Sequence, residues 1–284
     1  MPTNKPFTTP LDLPIKLIDT HCHINIMVKE KFDTLIAQES FELASQIAQE
    51  ASQAGIKYIL NVGTSIIECE NCINLAKKNK NMFAAVGIHP CDITSNWKQD
   101  LEKIKKFLSN KIQNKIVCIG ECGLDLYHRQ DTLDKQIDLL KAQIELSLEQ
   151  NLPLSIHMRQ STDQMHKLLD QYKNDNLKGV MHCFPEGKEF ADSVISLGLL
   201  IGVGGSVTYP KNTILQETVA QLPIEKIILE TDAPFLPPQI IRGKQNHPKY
   251  ILAIAEHIAK IKNITLETVA EQTTKNALNL FKFY

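Results

Sequence analysis

The sequence predicts an α/β protein built as a single-domain (β/α)8 TIM barrel with extra C-terminal helices. Eight short apolar runs recur along the chain, at 16–20, 57–62, 82–88, 116–120, 152–157, 179–183, 199–204 and 226–230. Longer segments with apolar residues at helical spacing lie between them, and strand followed by helix in alternation calls for parallel pairing with right-handed crossovers. The polar residues suited to chemistry fall at the carboxyl ends of those runs, the face on which barrel enzymes carry their sites.

At 284 residues the chain is long enough for one such barrel, and no composition break divides it. The expected boundaries are an irregular lead-in over 1–15 and a barrel over 16–284. Pro2, Pro6, Pro10 and Pro14 punctuate the lead-in, which lacks the apolar core of a signal peptide. Hydrophobic residues make up 43% and charged residues 22%, an ordinary globular mix, and the net charge of -1 provides no global basic field. Bound divalent cations would still make a local site positive. No run approaches a membrane span. The 7 cysteines are an odd number without a disulfide framework and point to a reducing compartment. A cytoplasmic location is the expectation, with neither a membrane nor an obligate protein partner indicated.

The first strand carries Leu17-Ile18-Asp19-Thr20-His21-Cys22-His23. Strand alternation sends His21 and His23 to one face, with Asp19 below them. The segment 35–54 has helical spacing and stops at Gly55, which tolerates the left-handed conformation that ends helices. Cys69 and Cys72 form a C-x-x-C, but Ile66, Ile67, Ile73 and Leu75 around them read as a core-packed helix rather than a metal or redox site. His89 follows the third strand in Gly87-Ile88-His89-Pro90, and Glu121 ends the fourth. Ile137, Leu140, Ile144 and Leu148 mark a helix over 133–148 that stops before Asn151 and Pro153. His157 and Arg159 end the fifth strand, His182 the sixth and Asp232 the eighth. Helical segments at 163–172, 188–197, 214–222 and 250–261 fill the intervals, and 265–283 reads as one or two helices.

His21, His23, Glu121, His157, His182 and Asp232 make six convergent nitrogen and oxygen ligands. They are too many for one tetrahedral ion, so two divalent ions about 3.5–4 Å apart fit better. Imidazole and carboxylate suit zinc, manganese or nickel, and a carboxylate-bridged pair also suits magnesium. Glu230 shares a face with Asp232 one layer deeper, and a buried carboxylate there, like Asp19, is expected to orient a ligand histidine or an arginine. Alternation turns Cys22, Cys122 and Cys183 away from the site.

The motifs at 18–23, 87–90, 119–125, 156–159, 182–184 and 230–236, followed by Arg242-Gly243-Lys244-Gln245-Asn246-His247-Pro248, resemble the TatD-type metal-dependent DNases of the amidohydrolase-like superfamily. The resemblance runs from about Lys16 to the C-terminus. It implies one metal held by His21, His23, Glu121 and Asp232, and a second by Glu121, His157 and His182. It also implies phosphodiester hydrolysis, typically as a 3′→5′ exonuclease on DNA or RNA, with magnesium or manganese as working ions. In that scheme Glu121 and Asp232 are catalytic, Asp232 orienting the attacking water as general base. His89, Arg159, Arg242 and Lys244 are the candidate substrate contacts, because a guanidinium fork matches phosphate oxygens. The expected partner is a nucleic-acid substrate presenting single-stranded ends. Trp97, Tyr127, Phe184, Tyr209 and Phe235, in loops, are the candidate stacking aromatics.

The chain departs from the family pattern at Gln160, where an acidic residue is frequent, at Pro185-Glu186-Gly187, and at Leu126-Tyr127-His128-Arg129. None of these removes a ligand, and they bear on substrate preference. The alternative is an ester or amide hydrolase, such as a D-aminoacyl-tRNA deacylase or a lactonase. Glu121, standing where many amidohydrolases use a carboxylated lysine, favours phosphoesters.

Overall fold

The apolar runs become strands because each is buried on both faces, inward on the barrel and outward on helices. In a computed structural model, which describes residues 16–284, these are β1 (Leu17–Cys22), β2 (Ile56–Val62), β3 (Met82–Val86), β4 (Ile116–Asp125), β5 (Leu154–Arg159), β6 (Gly179–Met181), β7 (Leu199–Val203) and β8 (Ile227–Leu229). They pair in sequence order, each parallel to the next. The expected lead-in over 1–15 lies outside the described residues. Between β8 and β1 the barrel is closed near the mouth by Asp232 N donating to His21 O (2.8 Å) and His23 N to Ala233 O (2.7 Å). The Thr20 hydroxyl adds a bond to Leu229 O at 2.9 Å.

The helices α1 (Ile24–Met27) and α2 (Ser40–Gln53) follow β1. After β2 to β8 come α3 (Ile66–Lys78), α4 (Trp97–Leu108), α5 (Leu133–Gln150), α6 (Thr162–Leu169), α7 (Lys188–Ser196), α8 (Thr213–Gln221) and α9 (Ile251–Lys262), one after each strand. The extra C-terminal helix is α10 (Leu266–Phe281). None of these helices is long and apolar enough to cross a membrane.

Two apolar layers result. Ile18, Leu60, Val62, Phe83, Ala85, Val117, Val180 and Ile228 fill the barrel, and Ala277 and Phe281 of α10 join that cluster. So α10 stoppers the end of the barrel opposite the mouth. Asn276 Nδ2 ties it there by donating to Ile224 O (2.9 Å) and Ile227 O (2.8 Å). The larger layer lies between strands and surrounding helices and includes Cys69 and Cys72, both fully buried free thiols of α3, in keeping with the core reading of that pair.

The elements differ from expectation where side chains hold the backbone in another shape. α2 begins at Ser40 rather than 35, because the preceding loop is held by α3 instead. Buried Glu68 accepts from Lys29 Nζ (2.5 Å), Asn25 Nδ2 (2.9 Å) and Asp33 N (2.7 Å), and Asn71 Oδ1 accepts from Ile36 N (3.0 Å). α4 was not among the expected helices, although Trp97, Leu101, Ile104 and Leu108 have its spacing. Trp97 is therefore the first residue of a helix packed on the outer core, not a loop aromatic. β4 runs to Asp125, so Glu121 lies inside that strand rather than at its end.

Candidate metal centre

Two interruptions of the strand pleat aim the site. The β1–β2 register passes from Asp19↔Ile59 to Cys22↔Asn61, and the β4–β5 register from Ile119↔Leu154 to Cys122↔Ile156. In each, three residues oppose two, and the extra residue turns those after it to the other face. Leu17 and Cys22, five apart, thus both pack in the outer layer, while His21 and His23 meet at the mouth. Strict alternation, which set Asp19 beneath the histidines, does not hold. The Asp19 carboxylate instead accepts from Thr231 N (2.9 Å) and Thr231 Oγ1 (2.6 Å), fixing the residue before Asp232.

Glu121 stands between two groups of imidazoles. Its Oε2 lies 3.4 Å from His21 Nε2 and 3.7 Å from His23 Nε2. Its Oε1 lies 3.0 Å from His157 Nδ1, 3.5 Å from His89 Nε2 and 3.8 Å from His182 Nε2. Asp232 Oδ1 is 3.4 Å from His23 Nε2, 3.8 Å from His182 Nε2 and 4.0 Å from His21 Nε2. The Nε2 atoms of His21 and His23 face each other at 3.1 Å. Asp232 itself has φ +55, a left-handed conformation that Asp tolerates better than most side chains.

The far side of each ring decides which nitrogen faces the mouth. Val62 O lies 2.8 Å from His23 Nδ1, and a carbonyl only accepts, so the proton sits on Nδ1 and the lone pair on Nε2. Asp125 Oδ2 lies 3.1 Å from His157 Nε2, leaving Nδ1 to face Glu121. Glu230 Oε1 approaches His182 Nδ1 to 3.0 Å, an ion-pair contact without the alignment of a hydrogen bond, and turns Nε2 inward. Ser155 Oγ lies 3.0 Å from His21 Nδ1. His89 is the opposite case. Its Nδ1 accepts from Cys91 N at 3.1 Å, so the neutral ring carries its proton on Nε2, toward Glu121.

Burial opposes charge on Glu121, but His89, His157 and His21 together hold its carboxyl well below the usual range. Burial likewise opposes charge on Asp232, and His23 and His182 hold it low. Burial, with His182 alongside, lowers His21, and burial takes His89 down to about 3, so both rings are neutral. Burial opposes charge on His23, His157 and His182 too, but Asp232 beside His23, Asp125 and Glu121 beside His157, and Cys183 and Glu230 beside His182 hold these three above the usual imidazole range. A cation among the ionised carboxylates would displace their protons and take the lone pairs that divalent ions bind. At most one proton can lie between the facing His21 and His23 nitrogens, and a shared cation satisfies both. The donor set fits a metal.

A sequence profile of the family described as TatD related DNase matches residues 18–282. The chain belongs to this family. An uncharacterized metal-dependent hydrolase from Buchnera aphidicola is 35% identical over 265 residues, covering 93% of this chain and 96% of that protein. The 3'-5' ssDNA/RNA exonuclease TatD of Salmonella typhimurium is 31% identical over 241 residues, covering 83% of this chain and 92% of its own. The crystal structure of YjjV, a TatD homologue from Escherichia coli, superposes with a TM-score of 0.82 at 28% identity, covering 94% of this chain and 98% of that one.

In this TatD-family hydrolase the six expected ligands and His89 are brought together, whereas the expected cationic contacts stand around them. Arg159 lies over the Tyr127 ring (4.0 Å to the centroid) and Arg242 over Tyr209 (3.8 Å), with Arg159, Arg242 and Lys244 all exposed. Tyr127 and Phe235 are exposed at the rim, but Phe184 is buried against Phe190 and is core rather than a stacking platform. Cys22 and Cys122 are core as expected. Cys183 is not: partly exposed and with φ +43, it places its thiol within 4.8 Å of ligand atoms of His182 and Glu230.

Three supporting residues were not anticipated. Asp125 and Ser155 orient His157 and His21, and buried Asn246 donates through Nδ2 to Thr231 O and Phe235 O, both at 2.8 Å, bracing the loop that carries Asp232. Asp125 and Asn246 lie within the recognised motifs, where their side chains could have been singled out. Glu230 also needs the absence of a side chain: a Cβ on Gly202 would come within 2.5 Å of its Oε2.

Proposed function

We propose that the chain hydrolyses phosphodiester bonds of nucleic acid as a 3′→5′ exonuclease on single-stranded DNA or RNA ends, with two divalent ions, magnesium or manganese, held by His21, His23, Glu121, His157, His182 and Asp232. The observation that carries this reading is the placement of Glu121, one oxygen toward His21 and His23 and the other toward His157 and His182, as a carboxylate shared by two ions requires. The activity in the name of the Salmonella relative supports the substrate class.

Bound ions would supply the Lewis acidity that makes a water nucleophilic near neutral pH and offsets charge on the phosphoryl oxygens. The chain does the rest. Asp232, ionised and at the mouth, orients the attacking water and takes its proton. His89 donates its Nε2 proton in a hydrogen bond to a phosphoryl or leaving oxygen as negative charge grows there. Arg159, Arg242 and Lys244 hold the flanking phosphates, and the tyrosine rings under the two guanidiniums keep those planes fixed beside the strand.

The test is hydrolysis of end-labelled single-stranded DNA and RNA in EDTA, then with Mg²⁺ or Mn²⁺ restored, beside Glu121→Ala. Metal-dependent nucleotide release from the 3′ end that is lost in the variant is the expected result. Folded, metal-loaded protein that leaves both polymers intact while cleaving an aminoacyl ester or a lactone overturns the proposal.

A further inference from the structure

The loop after β3, the last residue of β4 and the loop that follows it bring a thiol, a carboxylate and an imidazole together outside the ligand set described above. The ligand atoms of Cys91, Asp125 and His128 all lie within 4.8 Å of one another. Asp125 Oδ2 is 3.0 Å from His128 Nδ1, while Oδ1 accepts from Tyr127 N (2.9 Å) and His128 N (2.8 Å), a turn that holds the imidazole against the carboxylate. Cys91 is fixed from two sides. Its N–H donates to His89 Nδ1 (3.1 Å) and its carbonyl accepts from Arg129 Nη1 (3.4 Å). Asp125 is buried, Cys91 is partly exposed and the His128 side chain is half exposed, so the cluster is anchored below and open to ions from solvent.

We propose that Cys91, Asp125 and His128 form a separate cation site at the rim of the barrel, selective for zinc and similar thiophilic ions. One sulfur, one nitrogen and one oxygen, with a water in the fourth position, make a tetrahedral zinc set. Zinc bonds of about 2.0–2.3 Å place tetrahedral donors roughly 3.3–3.8 Å apart, inside the span these atoms already occupy. Magnesium, which demands an octahedron of oxygens, is discriminated against. Ion capture releases the Cys91 thiol proton to solvent and moves the His128 proton from Nδ1 to Nε2, with no change of oxidation state. Asp125 Oδ2 also faces His157 Nε2 (3.1 Å), so an ion here competes for the carboxylate that orients His157.

The probe is Co²⁺ titrated into the full chain in excess Mg²⁺. The six main-site ligands offer only nitrogen and oxygen donors, so a near-ultraviolet sulfur-to-cobalt charge-transfer band reports a thiolate, which can come from Cys91 or from Cys183 beside His182. The band is expected to saturate at the intensity of one thiolate-bound cobalt per chain once the ions of the main site are also supplied, and Zn²⁺ to abolish it. Cys91→Ser is expected to remove it, His128→Gln to weaken cobalt affinity at least tenfold, and Cys183→Ser to leave it intact. No band in the folded protein, or a band that survives Cys91→Ser and disappears in Cys183→Ser, overturns the proposal. The competition for Asp125 rests on the hydrolase reading: excess Zn²⁺ should slow nucleotide release by wild type more than by Cys91→Ser, and equal slowing overturns that link.

Discussion

At the scale of single residues, His89 differs from the other four imidazoles because its Nδ1 is already an acceptor for Cys91 N. It therefore offers the site a proton and not a lone pair. His89→Ala is expected to lower kcat by about 100-fold, the usual effect of removing one transition-state donor, with metal content unchanged. His89→Gln, which can still donate, should recover part of the rate. Metal analysis showing an ion lost with the ring would make His89 a ligand instead. Asp125→Asn is expected to weaken metal binding about 10- to 100-fold through His157, as measured by chelator competition. His247 contributes on the stability side. Burial, with Lys249 nearby, takes it down to about 4, whereas a free imidazole titrates near 6.5. Below that pH the unfolded chain gains a proton the folded chain refuses, so stability is intact above pH 6.5 and falls as pH drops through 4. His247→Asn, which keeps an acceptor for Lys249 N, should flatten the urea midpoint across that window. An unchanged slope would sink the assignment.

At the scale of elements, α10 decides whether the barrel has a closed floor. Phe281 is buried within the interior cluster, and Phe281→Ala should cost about 3–5 kcal/mol, read from urea unfolding. A cost below about 1 kcal/mol would show that the floor closes without it. The helix starts behave as local chemistry requires: Ser65 Oγ accepts from Glu68 N at 3.2 Å at the head of α3, and Thr265 Oγ1 from Thr268 N at 3.1 Å at the head of α10. Asn151, with φ +49, ends α5 in the left-handed conformation, a position its motif had marked through Pro153. The strands were legible as apolar runs, since a strand buried on both faces needs no other signal. The loop at 29–36 was not, because Glu68 and Asn71, more than thirty residues away, hold it.

At the scale of the whole molecule, the barrel and its donor cluster depend on each other. The bonds from Asp232 N to His21 O and from His23 N to Ala233 O close the barrel with the backbone of candidate ligands themselves. A cation held across the mouth would therefore also brace the β8–β1 seam. Metal that binds only the folded chain stabilises it by mass action, about 2.7 kcal/mol at a hundredfold excess over Kd. EDTA is expected to lower the thermal midpoint and Mn²⁺ to restore it, with Glu121→Ala insensitive to both. Wild-type midpoints that ignore EDTA would argue against ions bound at this seam.

The sequence by itself determined the order of strands and helices, the family and the residue types gathered at the carboxyl ends of the strands. Those features are written in local periodicity and in motifs of a few residues, so they can be read without coordinates. Only the tertiary structure decided where those side chains point. The extra residues at β1 and β4 break the alternation on which the Asp19 expectation rested, and they exist because neighbouring strands impose the register. Which nitrogen each histidine presents is likewise chosen by Val62, Asp125, Glu230 and Cys91. A tautomer is the property of a contact, and most of these contacts join residues far apart in the chain.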